Sequence, residues 1–485
     1  MKKSVGKNYI YNLLYEILTV LVPLVTTPYI SRVLGAEGIG IYSYTNSIVT
    51  YFALFAALGT TVYGRRESAY VQDDKEKRSV VFWEILSFRT IMTVLCMAMY
   101  SVYIWRTQYH MIALIQSFYI IAVAFDITWF FQGMEDFKTV VLRNSIVKLV
   151  NIAVIFIFVK TAKDLNVYIF ALAFLPLIAN VVTWACIAKY INHVPIKQLH
   201  PFRHFRGAVA LFIPTIASQV YLVLDKTMIG VIIPGNIENG YYEQAQKIIR
   251  ICWTFVTTFG AVMSPRIAYI FAKNDVNKIR DYMRRSYGIV WFIASPIAFG
   301  MAAVAANVVP WFFGDGFEKV SKLLFVFAWI VFPVGLNSVT GSQYLVATKK
   351  QTPYTISIII GAFINVLMNA VLIIHFQSVG AAIASVTAEI IIAVIQIVYV
   401  TNIVREIRLR DVFASSWKYL MSGIIMFAVV KGAGNMMTSS MTSTIVLIVI
   451  GVSCYIGCLL LFRDKLIMKF IDKGSAMIGI KRRGS

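Results

Sequence analysis

Three charged side chains recur at helical spacing inside the otherwise apolar stretch 240–263. Glu243, Lys247 and Arg250 stand at i, i+4 and i+7 and so share one helix face, which Thr254 and Thr257 continue. Glu243 is within reach of Lys247, which leaves Arg250 as surplus positive charge. The stretch 207–233 sets Ser218, Tyr221 and Asp225 on one face, with Lys226 turned about 100° away. The stretch 79–104 carries Glu84 and Arg89, and 39–62 shows Tyr42, Asn46 and Thr50 at spacing four. Glu16, Asp126 and Glu389 add isolated carboxylates in other apolar runs. Cations in several runs suit an anionic substrate, because Arg offers a planar fork to phosphate and Lys a point charge. A chain that moved cations would instead rely on the carboxylates Asp126, Asp225, Glu243 and Glu389.

The elements that must hold these residues follow from composition. Of 485 residues, 59% are hydrophobic and only 14% charged, against about 25% charged in soluble domains. Too few charges exist to cover soluble surfaces, and disorder, collagen and disulfide scaffolds are excluded as well. A bilayer crossing takes about 20 apolar residues. Fourteen such stretches are present: 10–33, 39–62, 79–104, 110–132, 145–160, 165–190, 207–233, 240–263, 287–313, 320–346, 354–376, 379–402, 416–434 and 442–462. The expected fold is an all-α polytopic membrane protein. The runs are too long and continuous for a β-barrel. A charge at mid-bilayer costs roughly 2.5–3.5 kcal/mol, so those named above are expected to face a cavity or a partner.

The net charge is +22, from 45 Lys+Arg against 23 Asp+Glu. With the N-terminus inside, seven cations fall in outer segments (Arg32, Arg106, Lys160, Lys163, Lys319, Lys322 and Lys431) and four within spans (Arg89, Lys226, Lys247 and Arg250). The rest lie in inner segments, as the positive-inside rule requires, and this predicts cytoplasmic N- and C-termini. The charge is thus topological and calls for no nucleic-acid partner. The first span, broken by Glu16 and Pro23 and without a small-residue cleavage site, is expected to be retained. The basic segments 133–148 and 266–286 are amphipathic and read either as stretches lying flat on the inner leaflet or as plain topogenic charge. The aromatic run Trp129-Phe-Phe131 is expected in an interfacial belt.

Catalytic and metal signatures are missing. The five cysteines lie in apolar runs without a CxxC, and His200 and His204 are interrupted by Pro201. No ATP loop or dinucleotide fingerprint occurs. No metal, cofactor or enzyme activity is expected. A weak repeat links Gly40-Ile-Tyr-Ser-Tyr-Thr-Asn-Ser-Ile48 to Gly240-Tyr-Tyr-Glu-Gln-Ala-Gln-Lys-Ile248, 200 residues on, and each is preceded by a span with a proline, Pro23 or Pro214. Six spans separate the copies, so two six-helix lobes in parallel orientation are expected, at 1–200 and 201–410, with two further helices and a basic tail at 411–485.

Several segments resemble the Wzx-type oligosaccharide flippases, the polysaccharide transporter family of the MOP superfamily. They are Asp126-Ile-Thr-Trp-Phe-Phe-Gln-Gly-Met-Glu-Asp-Phe-Lys138, Leu224-Asp-Lys-Thr-Met-Ile-Gly230, Gly240-Tyr-Tyr-Glu-Gln-Ala-Gln-Lys247, Met263-Ser-Pro-Arg266 and Gly380-Ala-Ala-Ile-Ala-Ser-Val-Thr-Ala-Glu389. Pro28-Tyr-Ile-Ser-Arg-Val-Leu-Gly35 and Gly38-Ile-Gly-Ile-Tyr42 fit as well. The resemblance implies a MATE-like V of two lobes around a central cavity, in a bacterial plasma membrane. It implies transport of undecaprenyl-diphosphate-linked oligosaccharide from the inner to the outer leaflet for surface polysaccharide biosynthesis. In that setting the diphosphate meets Arg89, Lys226, Lys247 and Arg250. The sugars meet Tyr42, Asn46, Ser218 and Gln246. Asp126, Asp225, Glu243 and Glu389 are the ion-coupling candidates. Membrane lipids, a polysaccharide polymerase and glycosyl transferases are the implied partners. The alternatives are a cation-coupled multidrug or small-molecule antiporter and, in another class, a membrane glycosyl transferase or polymerase.

Overall fold

A computed structural model describes the backbone over residues 5–273, 275–414 and 416–468. Side chains are described over the same residues apart from 5–14, 214, 215, 217, 218, 220–222 and 259–262. Every regular element among the described residues is helical. Large apolar side chains face outward along these helices, as with Val94, Met99, Phe363 and Ile374, while Ser43, Thr45, Gln116, Asn365 and Gln396 are buried. This inversion of the soluble pattern is what a hydrocarbon solvent selects.

Eleven helical stretches are long and apolar enough to cross a bilayer. Two of them, Tyr15–Tyr70 and Gln351–Val404, have 56 and 54 residues. At about 1.5 Å per residue each exceeds twice the hydrocarbon thickness, so each makes more than one pass. Their breaks fall between expected spans. Gly35 (φ 67°) interrupts Val5–Ala57, and Gln377 (φ 54°) interrupts Gln351–Val398. At Gly35 the left-handed backbone, not crowding, is what requires glycine, since a Cβ there would meet nothing within 4 Å. Phe205–Ile232 has 28 residues, also enough for a crossing.

The chain divides into two compact units, Met1–Glu243 and Gln244–Ser485. In the first unit, Lys75–Arg106 packs beside Val5–Ala57 and His110–Phe125, and Leu165–Thr183 closes on His110–Phe125. In the second, Ser416–Asn435 and Met441–Leu461 are docked on Val276–Phe313. Ser295 donates to the Tyr419 carbonyl (2.8 Å), Tyr455 to the Phe292 carbonyl (3.0 Å) and Asn307 to the Gly434 carbonyl (3.0 Å).

Two expectations are corrected. Segments 133–148 and 266–286 are not separate surface helices. They are the end turns of Phe137–Phe158, Ile237–Ala272 and Val276–Phe313, because helical hydrogen bonding runs on through the basic residues into the apolar ones. The Trp129–Phe131 run is core rather than belt, with all three side chains 0% exposed. The short helix Thr128–Gly133 lies against Thr60–Tyr70 so closely that a Cβ on Gly64 would come 2.5 Å from the Trp129 ring, and one on Gly133 2.6 Å from the Arg65 carbonyl. Trp129 stacks on Phe82, with centroids 5.6 Å apart and planes at 24°.

Candidate functional site

The polar residues gather in two places within the first unit. One is a crossing between the segment after Gly35 and the start of Ile237–Ala272. A Cβ on Gly40 would fall 1.7 Å from the Asn236 carbonyl oxygen, and one on Gly240 would fall 1.9 Å from that of Ala36. The glycine that opens each copy of the repeat thus touches the backbone four residues before the other copy. Only glycine permits that approach on either side.

Three residues past each glycine, Ser43 Oγ donates to Glu243 Oε2 at 3.1 Å. The same carboxylate oxygen is 2.5 Å from Lys226 Nζ. The neighbouring Asp225, 2% exposed, accepts from the Tyr242 hydroxyl, and Asn239 Nδ2 donates to the Lys226 carbonyl at 3.0 Å. One turn along, the Thr227 hydroxyl lies 2.8 Å from that of Ser47 and 3.1 Å from that of Tyr51. Glu243 thus finds Lys226, a partner on the preceding helix. Counting along one helix considers only Lys247, because it cannot see which helix comes alongside. Tyr42 packs edge-on against Tyr168, with centroids 5.4 Å apart, and Asn46 sits half-buried on the same stretch. The Ser218 side chain lies outside the described residues.

The second gathering supports the Asp126–Lys138 segment. Arg89 is 2% exposed, and each of its guanidinium nitrogens has an acceptor: Nε the Val123 carbonyl at 2.7 Å, Nη2 Asp126 Oδ2 at 3.1 Å, Nη1 Thr61 Oγ1 at 3.5 Å. Asp126 also accepts from the Thr128 amide (3.0 Å) and hydroxyl (2.6 Å), which starts the next helix, while Trp129 Nε1 donates to the Asp126 carbonyl at 3.0 Å. Arg89 and Lys226 share no partner in these networks.

Beside this knuckle lies a group that spacing did not reveal. Glu84, 0% exposed, accepts from Arg203 Nη2 (2.5 Å) and from the His200 amide (2.9 Å), and pairs with His204 Nε2 (3.0 Å). His204 Nδ1 is 2.9 Å from the Tyr63 hydroxyl. Both ring nitrogens are engaged, which leaves none for a metal. Burial pulls the His204 imidazole below its usual range, against the opposing pull of the Glu84 carboxylate. The partners are more than a hundred residues apart in sequence, so periodicity could not pair them.

In the second unit Gln246 is buried and Arg250 is half-buried with its Nε atom lacking an acceptor among the described residues. Lys247 is half-buried on the same helix, and the hydroxyls of Thr254 and Thr257 bond back to the carbonyls of Arg250 (2.8 Å) and Thr254 (3.3 Å). Glu389 accepts from Asn337 Nδ2 at 2.5 Å. Among the described residues no group of three or more His, Cys, Asp or Glu side chains gathers as a metal site.

Comparison with known proteins agrees with this architecture. A curated relative, "Putative O-antigen transporter" of Escherichia coli, is 23% identical over 407 residues, covering 83% of this chain and 98% of its own. The "Probable low-salt glycan biosynthesis flippase" of Haloferax volcanii is 22% identical over 207 residues, 41% of this chain and 43% of its own. Among solved structures, the lipid II flippase MurJ in an inward closed conformation superposes with a TM-score of 0.74 at 16% identity, over 94% of this chain and 100% of its own. An inward-facing MATE multidrug transporter of the MOP superfamily gives 0.60 at 14% identity, over 81% and 94%. The likeness to these solved structures shows the fold, a multi-pass all-helical membrane architecture. The family described as "Polysaccharide biosynthesis protein" matches residues 5–271, more than half of the sequence, and the chain belongs to it.

Proposed function

We propose that this chain is a transporter that moves a lipid-linked oligosaccharide across the membrane for polysaccharide biosynthesis. The observation that carries the reading is the buried crossing at Lys226, Glu243 and Ser43, set in a helical bundle whose relatives are named as transporters and flippases of glycans. Sugar hydroxyls and a diphosphate cannot enter hydrocarbon unsolvated, so the protein must supply their partners. An ammonium paired with a carboxylate that also accepts from a serine is exchangeable. An incoming phosphate oxygen replaces Glu243 at Lys226, and Asn239 keeps the helix end in place meanwhile.

The diphosphate is met by Lys226, Lys247 and Arg250. Arg89 acts through the Asp126 knuckle and holds the bundle around the site. Tyr42, Asn46, Ser218 and Gln246 serve the sugars, and coupling to an ion gradient falls to Asp126, Asp225, Glu243 or Glu389. The direction is inner to outer leaflet, with both termini cytoplasmic in the bacterial plasma membrane. Residues 1–200 and 201–410 move as lobes and 411–485 accompany them. A polymerase and glycosyl transferases stand on either side of the step.

The test is reconstitution. Vesicles holding the purified protein and a fluorescent lipid-linked oligosaccharide are challenged with an external reductant, and the fraction bleached is followed. Exchange no faster than in protein-free vesicles would sink the reading. Sodium- or proton-driven dye efflux from the same vesicles, without oligosaccharide exchange, would replace it with the antiporter.

A further inference from the structure

We infer that a cleft between Phe137–Phe158 and Leu165–Thr183 binds one anionic phospholipid. The cavity has a volume of about 380 Å³, within the range of ligand sites. Its two walls run antiparallel and are graded. At one end stand Arg143 and the hydroxyl-bearing Thr139 and Thr183, and at the other only aliphatic side chains, among them Ile146, Leu175 and Ile178. That is the shape of a lipid, with a polar head and an apolar chain. The wall from Thr139 to Val150 rises about 16 Å along its helix, roughly half the hydrocarbon thickness. This matches one acyl chain in one leaflet and is far too short for an undecaprenyl chain.

The charge at the head end is unspent. Arg143 Nε is buried with no hydrogen-bond partner, and Arg143 makes no ion pair among the described residues. Its acidic neighbour Asp126 is already engaged by Arg89 and Thr128. One turn further, Lys148 lies 4.3 Å over the Tyr15 ring and donates to Thr19, with Glu16 its acidic neighbour. A buried guanidinium N–H left without an acceptor costs free energy, and a lipid phosphate supplies that acceptor. Basic pockets between helices at a membrane surface are suited to such headgroups.

The test uses the full chain, purified in detergent, stripped of lipid and titrated with dioleoyl phosphatidylglycerol or dioleoyl phosphatidylcholine, with bound lipid counted by native mass spectrometry. One phosphatidylglycerol per chain is expected, preferred about fivefold over phosphatidylcholine, as for one cation near a headgroup. Arg143→Gln is expected to abolish the preference and Arg143→Lys to keep most of it. Ile178→Trp, on the exposed side of the cleft, is expected to remove both lipids while leaving thermal stability intact. Equal retention of both lipids by the unaltered chain, or an unchanged preference in Arg143→Gln, overturns the proposal. Displacement of phosphatidylglycerol by equimolar undecaprenyl phosphate assigns the cleft to a prenyl lipid and overturns it as well. None of these readouts depends on transport activity.

Discussion

The crossing at Lys226 and the knuckle at Asp126 bury charge in the same unit by opposite means. At the knuckle every donor has a fixed acceptor. Arg89 bonds a carbonyl and a carboxylate at the end of His110–Phe125 and a hydroxyl of Thr60–Tyr70, and that carboxylate also accepts from the first amide of the next helix. At the crossing an ammonium leans on a carboxylate oxygen that a serine also uses. The first arrangement is over-determined, so it holds geometry. The second centres on an exchangeable contact, so it suits a group that must let go. Burial alone therefore does not distinguish the two settings, whereas the partners of the charge do.

That contrast breaks most visibly at the knuckle. Asp126→Ala strands a buried guanidinium and is expected to cost about 3–5 kcal/mol, seen as lost folded protein and a lower melting point in detergent. Arg89→Lys is expected to fare little better, because one ammonium nitrogen cannot reach the three acceptors that the separate nitrogens of the guanidinium fork span. A normal melting point in Asp126→Ala would erase the distinction. At the crossing, Lys226→Met is expected to abolish oligosaccharide exchange while protein still accumulates. Adding Glu243→Gln is expected to recover about 1–3 kcal/mol of stability without recovering exchange, which a double-mutant cycle checks. Full exchange in Lys226→Met would remove Lys226 from the mechanism.

A smaller effect sharpens the geometry. Gly40→Ala must push the touching backbones apart and is expected to cost about 1–3 kcal/mol by thermal unfolding. The smallest effect concerns His204. Its folded-state pKa lies below the ordinary 6.5, so the fold favours the neutral ring. Stability is then complete above 6.5 and is lost as pH falls through the folded value. His204→Gln is expected to flatten that region of the profile. An identical slope in the variant would assign the loss to other groups.

Much of the frame was legible in the sequence. Apolar runs placed the helices, and the breaks near Gly35 and Gln377 sit where two spans had to be separated. The glycines at 40 and 240 were legible as the start of a repeat, but that the two segments touch there was not. Partner choice was not legible, because Glu243 pairs across helices with Lys226 and Glu84 reaches residues more than a hundred positions away. Trp129 to Phe131 read as an interfacial belt because aromatic composition does not distinguish a headgroup layer from a packed turn. What separates them is the pair of close approaches at Gly64 and Gly133, which only three dimensions reveal.

The constant offset at the crossing has a further consequence. Ala36 meets Gly240, Asn236 meets Gly40, and Ser43 meets Glu243, each pairing related to its mirror by 200 positions. Such an arrangement is a local dyad. Two identical chains meeting on a dyad present the same residue to itself at the axis, a carboxylate to a carboxylate or a hydroxyl to a hydroxyl, and can pair different residues only away from it. Covalent fusion lifts that constraint. A single polypeptide carrying both halves is free to put a donor on one side of the axis and an acceptor on the other, and this one does so three residues beyond its paired glycines. At the axis position itself, a donor facing an acceptor is therefore open to one chain that carries both halves and closed to two identical chains.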